Sequence, residues 1–344
     1  MKKLRFAFVA FSNSKDKFVA DPSFIYRCEN LALALRAEGH HADLLHYSNL
    51  TSSEHYDLVF FHRPKRRFGL SYLLHRLHRN GTVTIADFDD LVFDPAVAYL
   101  SPGVLNSLVT LKKTEQMFRS HATALKKFNL VSVSTIPLAN AVNRQAPHAK
   151  VIVMPNTVHY SWYSAITKTL PVEHWNLTYF PGTRSHDRDF AMIRQPLEQF
   201  LDEHPSIKLH ITGVLDYELR CRPQQLVQHE KQKFSKYHKF VAQSWVNLAP
   251  LEATLFNQHK SAIKAIEAAY WHAPTLASSI PDMHRLQGCG AVLADDLNSW
   301  YQQLTKLAEP EFYISQTQGL RERLLSHSRI EHQTSQLIKA ALFR

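Results

Sequence analysis

QSWVNLAPLEATLFNQHKSAIKAIEAAYWHAPTLASSIP, residues 243–281, carries the pattern from which the organisation of the whole chain follows. The apolar run 245–250 predicts a buried parallel strand. A polar loop comes next, and 260–271 has helical periodicity that stops before Pro274 and a second strand over 275–278. Strand, helix and strand in that order form a βαβ unit. Lys260, Lys264 and Glu267 stand at i, i+4 and i+7, so they share one polar stripe facing a cleft or solvent. Ile263, Ile266, Ala269 and Tyr270 take the other side.

A helix start that follows a parallel strand carries free backbone N–H groups and a partial positive charge, which together seat phosphate oxygens, and a nearby lysine strengthens the seat. Asn257, His259, Lys260 and Ser261 fall at such a start. Glu267, two turns further in, is placed to accept hydrogen bonds from sugar hydroxyls. A solvated amphipathic helix with Lys-to-Glu pairing is the structural alternative for the same spacing.

The string PLEATLFNQHKSAIKAIEAAYWHAPTLASSIPDM, continued by GAVLADDLNSW, resembles the donor-site segment of GT-B glycosyltransferases close to glycosyltransferase family 4. The closer likeness is to a surface-polysaccharide subgroup reading N-x-x-K-S-x-x-K-x-x-E, matched by Asn257, Lys260, Ser261, Lys264 and Glu267. Glu267 matches the second glutamate of the family's paired-glutamate motif. His259 stands where the first falls, and His272 or Ala273 replaces the usual Gly before the Pro turn. The resemblance implies an α/β protein of the GT-B class, two Rossmann-like doubly wound domains facing across a cleft. It also implies a nucleotide-sugar as co-substrate, with no cofactor and no metal.

The 344 residues suffice for two domains with separate cores, and 45 % hydrophobic content fits a soluble globular protein. No run approaches a membrane span. MKKLRFAFVAFSNSK sets two lysines before a short apolar stretch broken by Arg5, which predicts a first strand rather than a secretory leader. Cys28, Cys221 and Cys289 are widely spaced and odd in number, so neither a disulfide framework nor a zinc site is expected, and the compartment reads as cytoplasmic. A formal charge of +10 with 21 histidines favours anions: nucleotide phosphates, anionic lipid headgroups or nucleic acid. Nucleic acid ranks last, because no zinc-finger spacing, RNP-like string or helix-turn-helix is present. No glycine-rich P-loop or complete dinucleotide fingerprint occurs either.

In chain order, a strand at 4–11, a helix at 22–38 and a strand at 42–46 open a doubly wound sheet, whose ligands gather at strand carboxyl ends. Arg27, on the first helix, is a candidate for reaching a phosphate or acceptor. A third strand at 57–61 leads to HRPKRRFGLSYLLHRLHRNG, where His62 and Arg63 join Arg27 as acceptor-side candidates. Lys65, Arg66 and Arg67 precede a helix with leucines on one face and His75, Arg76, His78 and Arg79 beside it. Such a segment packs as an ordinary sheet-covering helix whose basic rim serves as a peripheral footing on an anionic bilayer. The strand at 82–86 runs into DFDDLVFD. Ionised carboxylates are costly to bury without partners, so Asp87, Asp89, Asp90 and Asp94 need a reason. The resemblance places this segment where related transferases hold an acceptor-side catalytic residue. Asp89 and Asp90 are the candidates for orienting or deprotonating an acceptor hydroxyl, with helix capping and a salt bridge as the alternative.

A helical stretch at 101–128 and strands at 130–134 and 151–154 complete the first half, and PNTV resembles the exit from the family's first domain. The second half begins with a strand at 177–180 and PGTRSHDRDF, where Gly182 and Thr183 let backbone N–H groups approach a diphosphate, Arg184 adds charge and His186 faces phosphate or sugar. Strands at 208–213 and 240–242 flank a charged helix at 224–239, and terminal helices fill 311–344. The expected division is 1–156 for the acceptor-side domain, 157–175 for the linker, 176–325 for the donor domain and 326–344 for a helix returning to the first domain. The resulting functional expectation is a glycosyltransferase for surface polysaccharide or lipopolysaccharide. It takes a sugar from a nucleotide-sugar to a glycan or lipid-linked glycan, with Asp89, Asp90 and Lys260 as its catalytic residues. A GT-B sugar-nucleotide epimerase and a non-catalytic sugar-nucleotide-binding protein are the alternatives.

Overall fold

The computed structural model describes residues 2–165, 175–182 and 184–342. Thr183 and the 166–174 part of the expected 157–175 linker lie outside the described residues. Among the described residues twelve strands form two six-stranded sheets, every pairing parallel. The first contains β1 (Arg5–Ala10), β2 (His41–His46), β3 (Leu58–His62), β4 (Val83–Phe88), β5 (Leu130–Val133) and β6 (Lys150–Val153), in the order β2-β1-β3-β4-β5-β6. The second contains β7 (Asn176–Tyr179), β8 (Lys208–Thr212), β9 (Leu226–His229), β10 (Val246–Ala249), β11 (Thr275–Ser278) and β12 (Ala291–Ala294), in the order β12-β11-β10-β7-β8-β9.

Parallel sheets bury both faces, which is why β1 and β3 read as nearly unbroken apolar runs. Alternate residues feed different cores: Phe6, Phe8, Leu58 and Phe60 on one face, Ala7, Val9, Val59 and Phe61 on the other. Strand order reverses between β1 and β3 in the first sheet and between β7 and β10 in the second. At such points the connections leave to opposite faces and open a crevice outside the strand carboxyl ends. The two crevices face each other, as contacts from Tyr26 to Glu267 and from Asn156 to Ser261 show.

Two further elements tie the halves together. Helix Glu331–Leu342 buries Leu337 and Ala341 with Phe6, Phe8 and Leu31 of the first domain, and Thr334 Oγ1 donates to Glu38 at 2.6 Å. Phe256, on the loop after β10, sits in the first domain's core, its ring stacked 6.3 Å from that of Phe118.

Local expectations needed correction at three places. Residues 224–239 are not one helix, and 240–242 are not a strand. They form β9, at the edge beside β8, and then helix Phe234–Val241, which contains Phe240. An edge strand buries only part of its surface, so LVQH looks as polar as the helix after it. What pins this edge is non-local: the buried Gln225 side chain donates to the carbonyls of Leu201, His204 and Ile207. The stretch 101–128 is split into Pro102–Leu105 and Leu111–Leu125, the second capped by the Thr110 hydroxyl. The first helix, begun at Pro22, is interrupted by a wider π-type turn over Ile25–Glu29.

Candidate functional site

On the first domain's side, the crevice is built around Asp87 near the end of β4. Its carboxylate is fully buried and accepts from Arg27 Nη2 (2.6 Å) and Nε (3.2 Å), His62 Nδ1 (3.0 Å) and Ser132 Oγ (2.6 Å). Burial pushes its pKa up, but Arg27 and His62 more than offset that and hold it below the usual carboxylate range. Arg27 also donates to the Met154 carbonyl (2.5 Å) and to Asn156 Oδ1 (3.3 Å). Its guanidinium is therefore turned into the domain, not toward the open cleft.

A hydrogen-bonded chain runs outward from Asp87. His62 Nε2 lies 2.8 Å from Ser23 Oγ, and Ser23 donates its one hydroxyl proton to Asp89 Oδ2 at 2.5 Å. Ser23 thereby links the His62 ring, whose other nitrogen faces Asp87, to Asp89. Asp89 is further held by Arg63 Nε at 2.6 Å. Burial raises the Asp89 pKa, yet Arg63 and His62 outweigh it and leave the carboxyl well below its ordinary value. Arg63 occupies a left-handed backbone conformation, φ 44°, while its N–H donates to the Asp87 carbonyl. A non-glycine residue in that region is strained, and such strain concentrates at functional turns. Asp90 points elsewhere: it lies 3.9 Å from Arg63 Nη2 and 3.9 Å from Lys260 Nζ of the opposite domain. Asp94 has the capping role, accepting from Ala96 N–H.

On the second domain's side, the helix spans Ile263–Tyr270, starting three residues later than its periodicity suggests, because Asn257–His259 form a short 3-10 turn. Asp282 takes the Ala262 N–H at 2.7 Å, while the N–H groups of Ile263 and Lys264, in the first turn, have no helical acceptor. Lys260 lies ahead of that turn, 5.5 Å from the Phe256 ring centroid. Lys264 Nζ donates to the Phe180 carbonyl just beyond β7. Burial lowers its pKa, Glu267 opposes this and Lys260 adds to it. Glu267 is 6 % exposed, and its two oxygens accept from the hydroxyls of Tyr26 and Tyr237, the latter at 2.8 Å.

The remaining candidates scatter. Asn257 is buried behind the loop, donating to the Glu252 carbonyl (3.0 Å), and His259 is buried with Nδ1 donating to the Leu255 carbonyl (2.7 Å). Ser261 Oγ accepts from Asn156 at 2.8 Å, a bond between domains. Gly182 has φ +73°, which an L side chain rarely adopts, so the β7 turn requires glycine there. Arg184 is half-exposed, paired with Asp216 and with Asp187 at 3.3 Å. His186 is bonded to Asp189 at 2.7 Å. Burial lowers its pKa against the pull of Asp189, and Lys260 and Lys264 press it lower still, so it is a neutral ring beside two lysines.

The structure therefore brings together Asp90, Lys260, Lys264, His186 and Glu267, with Asp89, Arg63 and His62 behind Asp90. It does not bring Arg27, Asn257 or His259 to the open cleft, and it pairs Arg184 with Asp187 and Asp216. Sequence reasoning missed Ser23, Tyr26 and Tyr237. They lie in ordinary helical stretches with no spacing signal, and only their contacts across the fold single them out. Among the described residues there is no group of three or more His, Cys, Asp or Glu able to hold a metal, and no helix long and apolar enough to cross a membrane.

No family model matches the chain, and no curated protein matches it. Solved structures do. The chain is similar to an alpha-glucosyltransferase solved with UDP-glucose and DNA containing an abasic site, at TM-score 0.62 and 10 % identity over 99 % of this chain and 100 % of that one. It is similar to S. aureus TarM at TM-score 0.56 and 12 % identity, over 83 % of this chain and 54 % of that one, so the match spans about half the length of TarM. It is also similar to a Listeria monocytogenes protein bearing the name UDP-N-acetylglucosamine 2-epimerase, at TM-score 0.57 and 10 % identity over 99 % and 97 % of the two chains. At these identities the likeness is one of fold. The two facing parallel sheets are those of the GT-B fold.

Proposed function

We propose that this GT-B chain is a glycosyltransferase that moves a sugar from a nucleotide-sugar to a glycan or lipid-linked glycan, in the manner of the family 4 enzymes of surface polysaccharide and lipopolysaccharide synthesis. The observation that carries the reading is the meeting of Lys260 with Asp90. A cation from the second domain's helix start and a carboxylate from the first domain's sheet end come within 3.9 Å of each other, both only part-buried. Glycosyl transfer needs that pairing of groups, because negative charge develops on the departing diphosphate while the acceptor oxygen must lose or share a proton near the anomeric carbon. In this reading Lys260, Lys264 and the N–H groups of Ile263 and Lys264 receive the diphosphate, Glu267 receives the ribose, and Asp90 handles the acceptor hydroxyl. Asp89 holds Arg63, and with it the Asp90 loop.

The acceptor-side domain also carries an exposed Phe68 and Tyr72 beside Lys65, Arg66 and Arg67, and this loop is bonded to helix Leu111–Leu125 through Arg66 and Ser120. Aromatic side chains among cations suit the headgroup layer of an anionic membrane, where a lipid-linked acceptor would be presented.

The test is a panel of UDP-, GDP-, dTDP- and CMP-sugars with and without glycan acceptors. Nucleotide release that depends on acceptor supports transfer. A changed sugar without release supports epimerisation instead, and binding without either points to a non-catalytic role. With the donor identified, Lys260→Ala is expected to cost about 2 to 4 kcal/mol of transition-state stabilisation in kcat/KM. Unchanged turnover removes Lys260 from the site.

A further inference from the structure

Glu267 is closed off by a residue of the opposite domain. Tyr26, in the π-type turn Ile25–Glu29 of the first domain, donates its hydroxyl to Glu267 Oε1, while Tyr237, from helix Phe234–Val241 of the second domain, donates to Oε2 at 2.8 Å. The Tyr26 ring meets His159 edge-on with centroids 5.9 Å apart and Phe234 edge-on at 5.5 Å, so it is wedged between the chain leaving the first domain and a helix of the second. Burial, with Glu267 adding to it, raises both tyrosine pKa values well above normal, so both hydroxyls keep their protons and act as donors. Each carboxylate oxygen is thus engaged by a neutral hydroxyl, the group type that a ribose diol offers. With Glu267 only 6 % exposed, no outside hydroxyl reaches it until a tyrosine withdraws.

Of the two, Tyr26 is the one whose bond spans the domains. Tyr237 shares a core with Phe234 and the Ile263–Tyr270 helix, and moves with Glu267 when the domains part. The neighbour of Tyr26, Arg27, is anchored to Asp87 and to the Met154 carbonyl within the first domain, so the turn itself stays with that domain. The adjacent residues point different ways, Arg27 inward and Tyr26 across the cleft. Single π-type turns are found disproportionately where a helix presents a functional side chain.

We propose that Tyr26 is a resident stand-in for a donor hydroxyl. It holds Glu267 while the cleft is empty and gives way when a nucleoside ribose enters, so that donor entry and release of the interdomain latch are one event. This rests on the reading above that Glu267 receives the ribose. A hydrogen bond to a charged group that the donor must break lowers apparent affinity, so Tyr26→Phe, which deletes the bond and keeps the ring, is expected to bind the nucleotide roughly tenfold more tightly.

The experiment is calorimetric titration of the full chain and its Tyr26→Phe and Tyr237→Phe variants with UDP, GDP, CMP and dTDP, alongside small-angle scattering without nucleotide. Tighter binding by Tyr26→Phe of the nucleotide that the parent accepts supports the latch; equal or weaker binding overturns it and leaves the proposed function standing. Should the parent bind none of the four, the function proposed above fails and scattering judges the latch alone. A larger radius of gyration for Tyr26→Phe than for the parent and Tyr237→Phe upholds it, and an unchanged radius overturns it. Tyr26→Leu, which also lacks the hydroxyl, gives the same readouts if the Phe variant does not fold.

Discussion

Asp87, Asp89 and Asp90 lie within four positions of one another and have three different tasks, set by what surrounds each. Asp87 is fully buried and spends its charge on Arg27, His62 and Ser132. Breaking such a pair leaves an uncompensated buried charge, so Arg27→Met is expected to destabilise the protein by about 3 to 5 kcal/mol in urea unfolding. Asp89, held by Arg63 and Ser23 and kept far below its ordinary pKa, is a fixed anion and a poor base. Asp89→Asn should lower stability by about 1 to 3 kcal/mol through the loss of charged hydrogen bonds. Asp90 lacks that enclosure and reaches toward the other domain. Its Asn variant is expected to melt like the parent and bind nucleotide, yet lose transfer by roughly 10²- to 10⁴-fold, the usual worth of a proton-handling group. Equal transfer losses in Asp89→Asn and Asp90→Asn, with equal stability, would contradict this division.

At the scale of elements, the proposed function puts most weight on the loop between β10 and helix Ile263–Tyr270. It carries Phe256 into the first domain beside Phe118, and Lys260 rests near the same ring, so cleft closure and the placing of the cation depend on one aromatic anchor. Removing a buried aromatic costs both transfer energy and a cavity. Phe256→Ala is therefore expected to destabilise by about 3 kcal/mol, to enlarge the radius of gyration and to raise KM for the donor more than it lowers stability-corrected kcat. A variant with parent-like scattering and KM would show that closure does not run through Phe256. Asp282 has a companion role, taking the Ala262 N–H and pairing with Arg285, so part of the helix start is already satisfied from within its own domain.

Over the whole molecule, buried histidines contribute to the response to acid, three of them with the largest shifts. Burial lowers the pKa of His121 to about 3, of His159 to about 4 and of His210, beside His229, to about 4. Their folded values lie below the unfolded value near 6.5, so between those limits the unfolded chain binds protons that the folded one does not. Stability is fully present above about pH 6.5 and falls as the pH drops toward 4. The melting temperature should therefore decline steadily from pH 7 to pH 4.5, and the decline should be shallower in His121→Phe, whose ring is enclosed, provided that the variant folds. An equal slope in parent and variant would remove His121 from the cause.

The alternation of apolar runs with helical periodicity was readable because it follows from backbone geometry and from the burial of both faces of a parallel sheet, both local properties of the chain. That is why the βαβ unit around Lys260 to Glu267, the strand carboxyl ends and the crowding of aspartates could be located from residues alone. The edge strand β9 escaped because half an edge strand faces water and resembles a polar helix. Nor could spacing say which aspartate meets Lys260, that Arg27 turns inward, or that a tyrosine hydroxyl from the first domain sits on Glu267. Each of those depends on a partner distant in the chain. The energy of a buried charge is set by that partner and by the water excluded around the pair, and neither exists until the two domains have folded and met.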